Sequence, residues 1–114
     1  MSDDVEPSQA EPLRVEAKYD GPHVTIVVEG ELDVSGAREL QACVSEALER
    51  LTWDRSITID VHGLTYTDSS GLAGLLRARA ASHEVAVAFR ISEPSPALRR
   101  LTEMAGVPNL LPDE

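Results

Sequence analysis

The chain has 114 residues, of which 42% are hydrophobic and 4% aromatic, and its 20 Asp and Glu against 10 Lys and Arg give a net charge of −10. That length supports one hydrophobic core and predicts a single domain. The acidic balance makes nucleic acid an unexpected ligand, and no run approaches the ~20 apolar residues that a membrane-spanning helix needs.

Residues 1–12 carry Asp3, Asp4, Glu6 and Glu11, two prolines and no basic residue. With so little apolar surface to offset the entropy of ordering, they are expected to form a disordered acidic arm ahead of a folded domain over 13–114. An acidic start also lacks the basic and apolar character of a secretory signal, which predicts a cytoplasmic protein without membrane attachment. The apolar-rich runs Leu13 to Tyr19 and His23 to Glu29 are separated by Asp20-Gly21-Pro22, which is turn chemistry for a hairpin. After Gly30-Glu31-Leu32-Asp33, a helical stripe runs through Ala37, Leu40, Val44, Ala47, Leu48 and Leu51, with Asp33 or Ser35 available as its cap. Cys43 lies on that stripe as the chain's one cysteine, so it reads as a buried, inert thiol. Trp53, in the loop that follows, reads as a cover over the edge of the core.

In Ser56 to Val61, Ile57, Ile59 and Val61 alternate with polar residues, the period of a half-buried strand. A connector is expected from His62 to Thr67. Leu72, Leu75, Leu76 and Arg79 then fall at helical spacing, with Asp68 as N-cap and Ser69 as the first helical residue. A further strand is marked by Val85, Val87, Phe89 and Ile91. Ser95 and Pro96 open a last helix whose apolar face is Leu98, Leu101, Met104 and Ala105, with Gly106 just past its end and Pro108 forbidding continuation. The order is β-β-α-β-α-β-α, an α/β fold with a mixed sheet and helices packed against it. Strand-helix-strand units cross over right-handed, and open α/β sheets place their working loops beyond the carboxyl ends of the strands. Asp33 and Ser69 are therefore expected near each other.

Asp68-Ser69-Ser70 has an ordinary explanation, since such residues favour N-caps for hydrogen-bonding reasons alone. Gly71 and Gly74 in the same helix add a cost of ~1 kcal/mol each relative to Ala. Either close helix-sheet packing or the approach of another protein's backbone would account for them. The free N–H groups and positive dipole end at Ser69 would tolerate a phosphate on its hydroxyl. Enzyme chemistry lacks its parts: there is no G-x-S-x-G and no Walker A, and His23, His62 and His83 lack metal-ligand spacing. No catalytic residue, metal site or cofactor is expected.

The segment from Asp60 to Leu72, Asp60-Val61-His62-Gly63-Leu64-Thr65-Tyr66-Thr67-Asp68-Ser69-Ser70-Gly71-Leu72, resembles the signature of the STAS domain as found in bacterial anti-sigma factor antagonists. Gly30-Glu31-Leu32-Asp33 resembles that family's G-E-[LI]-D element, and Ser95 to Leu101 with Gly106 resembles its final helix. His62 departs from the small or polar residue commoner at its place. The resemblance implies a non-catalytic phosphoprotein of transcription regulation that works by partner switching. The unphosphorylated form would bind an anti-sigma factor with serine kinase activity and so release a sigma factor. Phosphorylation of Ser69 would end that binding, and a serine phosphatase would reset it. The implied partner surface is Asp33, Asp68, Ser69, Ser70, Gly71 and Leu72. An alternative within the same fold is a STAS subunit of a transporter or a stress-signalling assembly.

Overall fold

The computed structural model describes residues 12–112. The acidic arm lies outside them apart from Pro12. Seven main elements follow in chain order: β1 (Arg14–Asp20), β2 (His23–Leu32), α1 (Val34–Arg50), β3 (Ser56–Thr67), α2 (Ser69–Glu84), β4 (Ala88–Ser92) and α3 (Pro96–Met104). The expected element order and fold class are those observed. The sheet order is β1-β2-β3-β4, with β1 antiparallel to β2 and the other two pairings parallel. The hairpin closes on Asp20 opposite His23, as its turn residues predict.

Alternation sorts the sheet into two faces. Val24, Ile26, Val28, Ile57, Ile59, Val61 and Ile91 are buried, and they meet Leu40, Val44, Leu72 and Leu75 from the helices. The opposite face carries Arg14, Glu16, Lys18, Thr25, Glu29, Thr58, Asp60, His62 and Arg90, and none of these is buried. Core and helices thus lie on one side and solvent on the other. A single turn of 3-10 helix (Pro108–Leu110) follows α3 and seats Leu110 and Leu111 in the core.

Four expectations need correction. The connector His62 to Thr67 is strand: β2 runs on to Leu32, and its backbone pairs with β3 as far as Leu32 opposite Thr67, through two register shifts. Such irregularity hides the alternation that would mark a strand. The last strand begins at Ala88, and Val85 is 44% exposed, because Ala86 turns the chain with φ of 60° before buried Val87. Met104 is 85% exposed, since it closes α3 and the chain turns away at Ala105 and at Gly106, whose φ is 79°. Trp53 is 83% exposed and covers no core edge. Cys43 is half-buried, and burial foremost, with Glu46 beside it, pushes its thiol pKa up, which keeps it protonated and unreactive.

Candidate functional site

Two helices start side by side at the carboxyl end of the two central strands. Leu32 of β2 is paired with Thr67 of β3, and each is followed by an aspartate that caps a helix. Asp33 Oδ1 accepts a hydrogen bond from the Gly36 N–H at 2.9 Å, and Asp68 Oδ1 accepts one from the Gly71 N–H at 2.9 Å. The two turns, Asp33-Val34-Ser35-Gly36 and Asp68-Ser69-Ser70-Gly71, are one motif used twice. Parallel neighbours lie about 4.8 Å apart, so the duplicated caps put two carboxylates and two helix N-termini at one end of the molecule. Asp33 and the Ser69 turn are neighbours, as the topology predicts.

The glycines settle why this turn is so tight. A Cβ on Gly71 would stand 2.0 Å from the Leu32 carbonyl oxygen, and one on Gly74 would stand 2.9 Å from the Ala37 Cβ. Both therefore serve close packing within the domain: α2 presses its backbone onto β2 and then onto α1. The Gln41 side chain donates to the Gly74 carbonyl at 2.9 Å across the same helix pair.

Of the six residues expected on a partner surface, Ser69 is exposed, and Asp33, Asp68 and Ser70 are half-buried. Gly71 and Leu72 are buried, Leu72 at 4% exposure, so they shape the turn from beneath and offer no contact area. The structure adds residues that motif reading passed over. Val34 is 57% exposed at the first position of α1, the place Ser69 holds in α2, and Tyr66 is 51% exposed just before the turn. At Tyr66 a shallow groove opens between the end of β3 and α3, lined also by Leu64, Thr67, Ala97, Leu98 and Leu101. An apolar residue at the first turn of a helix, with no place on the buried stripe, was the available signal for Val34.

His62 points from β3 onto the open face of the sheet, away from these turns. Its Nδ1 lies 2.8 Å from Asp60 Oδ1, and its backbone N–H donates to the same oxygen at 3.0 Å. That side-chain hydrogen bond, and then the charge of Asp60, raise the imidazole above its ordinary 6.5. Partial burial pushes the Asp60 carboxyl up, but the backbone and ring of His62 outweigh it and hold the carboxyl below 3.8. The pair contributes fully between about 3.8 and 6.5, loses its contribution as pH rises through the raised value of His62, and loses it again as pH falls through the lowered value of Asp60. In a proton NMR titration His62 is expected to show a midpoint above 6.5, and Asp60→Asn is expected to lower it; a wild-type midpoint at or below 6.5 would refute the pairing.

Duplicated capped turns at one end of a four-stranded mixed sheet, with helices on a single face, define a small α/β domain of one layer of helices on one sheet. The chain belongs to the STAS-domain family: the family model described as Mlab, STAS domain matches residues 15–112. Among solved structures, the anti-sigma factor antagonist SpoIIAA in its unphosphorylated form is similar with a TM-score of 0.72 at 24% identity, covering 89% of this chain and 88% of that one. The Bacillus cell fate determinant SpoIIAA in the phosphorylated form gives 0.68 at 24% identity, over 89% and 91%. An anti-sigma factor antagonist from Mycobacterium paratuberculosis gives 0.71 at 20% identity, over 88% and 83%. The murine anion transporter Slc26a9 in its inward-facing state gives 0.67 at 11% identity, over 79% of this chain and 15% of that one. At these identities the likeness establishes the fold. Among the described residues, no helix is long and apolar enough to cross a membrane.

Proposed function

We propose that this chain is a cytoplasmic anti-sigma factor antagonist, a regulator without catalysis of its own, and that Ser69 is its phosphorylation switch. The observation that carries this reading is the exposed Ser69 at the first position of α2, next to two cap carboxylates. Phosphorylation would add about −1.5 to −2 charge at pH 7. Free N–H groups at the helix start accommodate that charge, so the domain stays folded. A partner seated over Ser69, Asp33, Asp68 and Ser70, with Val34 and Tyr66 as apolar anchors, would meet new like charge and bulk. The partners in this reading are an anti-sigma factor with serine kinase activity and a serine phosphatase that restores binding. The forms of SpoIIAA named above, phosphorylated and unphosphorylated, support a phosphate cycle by analogy of fold.

Incubation with the cognate kinase and Mg-ATP is expected to place one phosphate on Ser69, and Ser69→Ala is expected to block it. Peptide mapping that finds the phosphate on Ser70 or Thr67, with Ser69 untouched, overturns the assignment. A second reading, a STAS subunit of a transporter or stress-signalling assembly, draws on the likeness to the segment of Slc26a9. Affinity purification from the native cell separates the two: a kinase-fold protein supports the switch, a transporter ATPase supports the subunit.

A further inference from the structure

Among the described residues β1 is an edge strand, hydrogen-bonded to β2 on one side only. Its seven residues, Arg14-Val15-Glu16-Ala17-Lys18-Tyr19-Asp20, alternate strictly in exposure. Arg14, Glu16, Lys18 and Asp20 stand on the open face, and Val15, Ala17 and Tyr19 face the helices. The charges run plus, minus, plus, minus, and they are antisymmetric about Ala17. Turned by a two-fold axis through Ala17 and laid antiparallel against itself, the strand brings Arg14 opposite Asp20 of a second copy and Glu16 opposite Lys18. Val15 then meets Tyr19, and Ala17 meets Ala17.

From this we propose that the β1 edge is a docking surface for a second copy of this chain, which joins two four-stranded sheets into one. An interface of this kind is isologous, so each cross-strand pair is made twice. Directly opposite charges of unlike sign stabilise an antiparallel pair, and like charges destabilise it. Register follows from that rule. A slip of two residues in one direction sets Glu16 against Glu16 and Arg14 against Lys18; a slip in the other sets Lys18 against Lys18 and Glu16 against Asp20. A slip of one residue would place charged residues against the apolar row, because the side-chain period is two.

Burial supports the same conclusion. On β2 the helix-facing Val24, Ile26 and Val28 are at most 1% exposed, but Val15, Ala17 and Tyr19 on β1 are only partly buried. Part of their surface stays uncovered, even with the Arg50 guanidinium lying 4.0 Å over the Tyr19 ring. Charges commonly guard an edge strand against pairing. Here the antisymmetric pattern is complementary to its own two-fold mate. Arg14 already reaches Glu29 at 2.8 Å, yet its side chain is 74% exposed, and a guanidinium has donors to spare for a second carboxylate. The axis stands perpendicular to the sheet, so both helical layers fall on one side and the two Ser69 turns point to opposite ends. Pairing therefore leaves the switch accessible.

Seven residues of edge contact form a small interface, so association is expected to be weak and dependent on concentration. Sedimentation equilibrium of the full chain, from micromolar to millimolar, tests it. The wild type is expected to dimerise in that range. Glu16→Lys and Lys18→Glu each put like charges at both symmetric pairs and are expected to weaken self-association by about tenfold or more. The double exchange, E16K with K18E, is expected to restore it. Mixing the two single variants is expected to give a heterodimer, since one then carries two lysines and the other two glutamates at the facing positions. Both sites are exposed, and melting curves verify that each variant is folded. A wild type that stays monomeric throughout, single variants that associate like wild type, or a mixture that stays monomeric overturns the proposal.

Discussion

Gly71→Ala is expected to destabilise the domain by about 2 kcal/mol or more, the range for overpacking a rigid interior. Helix propensity alone predicts the opposite sign, since Ala is favoured over Gly by ~1 kcal/mol inside a helix. Packing decides. The added Cβ would sit 2.0 Å from the Leu32 carbonyl oxygen and 2.8 Å from Leu32 Cγ. Leu32 is held by its pairing with Thr67 and by its own burial at 0% exposure, so neither the oxygen nor the side chain can give way cheaply. The start of α2 must lift, and the Asp68 cap and the burial of Leu72 and Leu75 lift with it. For a domain of about 100 residues each kcal/mol moves Tm by ~4–8 °C, so a drop near 10 °C or more should appear in a thermal melt. An unchanged or raised Tm would mean that the turn can open, and the tight seating of the Ser69 turn would have to be abandoned.

How much of this was legible follows from which physics each residue obeys. Ile57, Ile59 and Val61, or Leu72 and Leu75, declare their elements by period, because one face of each is wholly buried. Asp68 and Ser95 declare helix starts, because a cap hydrogen bond is local: each accepts from the N–H three residues on. The end of β3 was illegible for the converse reason. His62 to Thr67 has no clean alternation, and only the partner strand, running on to Leu32, makes it strand. Gly71 and Gly74 showed a cost whose cause was tertiary. Nothing local distinguishes a partner's backbone from the chain's own Leu32. The exposure of Trp53, Met104 and Tyr66 was equally non-local, since it depends on where neighbouring elements end and the chain turns.

At Ser69 folding and binding are expected to part. Ser69→Asp places a carboxylate at the first position of α2, where free N–H groups and the helix dipole favour negative charge by about 0.3–1 kcal/mol. Asp33 and Asp68 stand close by and offset some of that gain, although each already accepts a cap hydrogen bond. The melting temperature should therefore stay within a few degrees of wild type. Ser69→Ala removes only an exposed hydroxyl and should also melt normally. Binding to the proposed anti-sigma partner should separate the two variants. A carboxylate facing the docking surface becomes a desolvated like charge beside two others, and such juxtaposition costs several kcal/mol in an interface. One carboxylate carries less charge than a phosphate, so the loss for Ser69→Asp is set at about tenfold or more in Kd, or ~1.4 kcal/mol. Ser69→Ala should bind as wild type does and resist inactivation by the proposed kinase. Titration calorimetry on both folded variants reads the difference directly. Equal affinities would rule out an electrostatic switch at Ser69 and leave the subunit reading as the better account of the same fold.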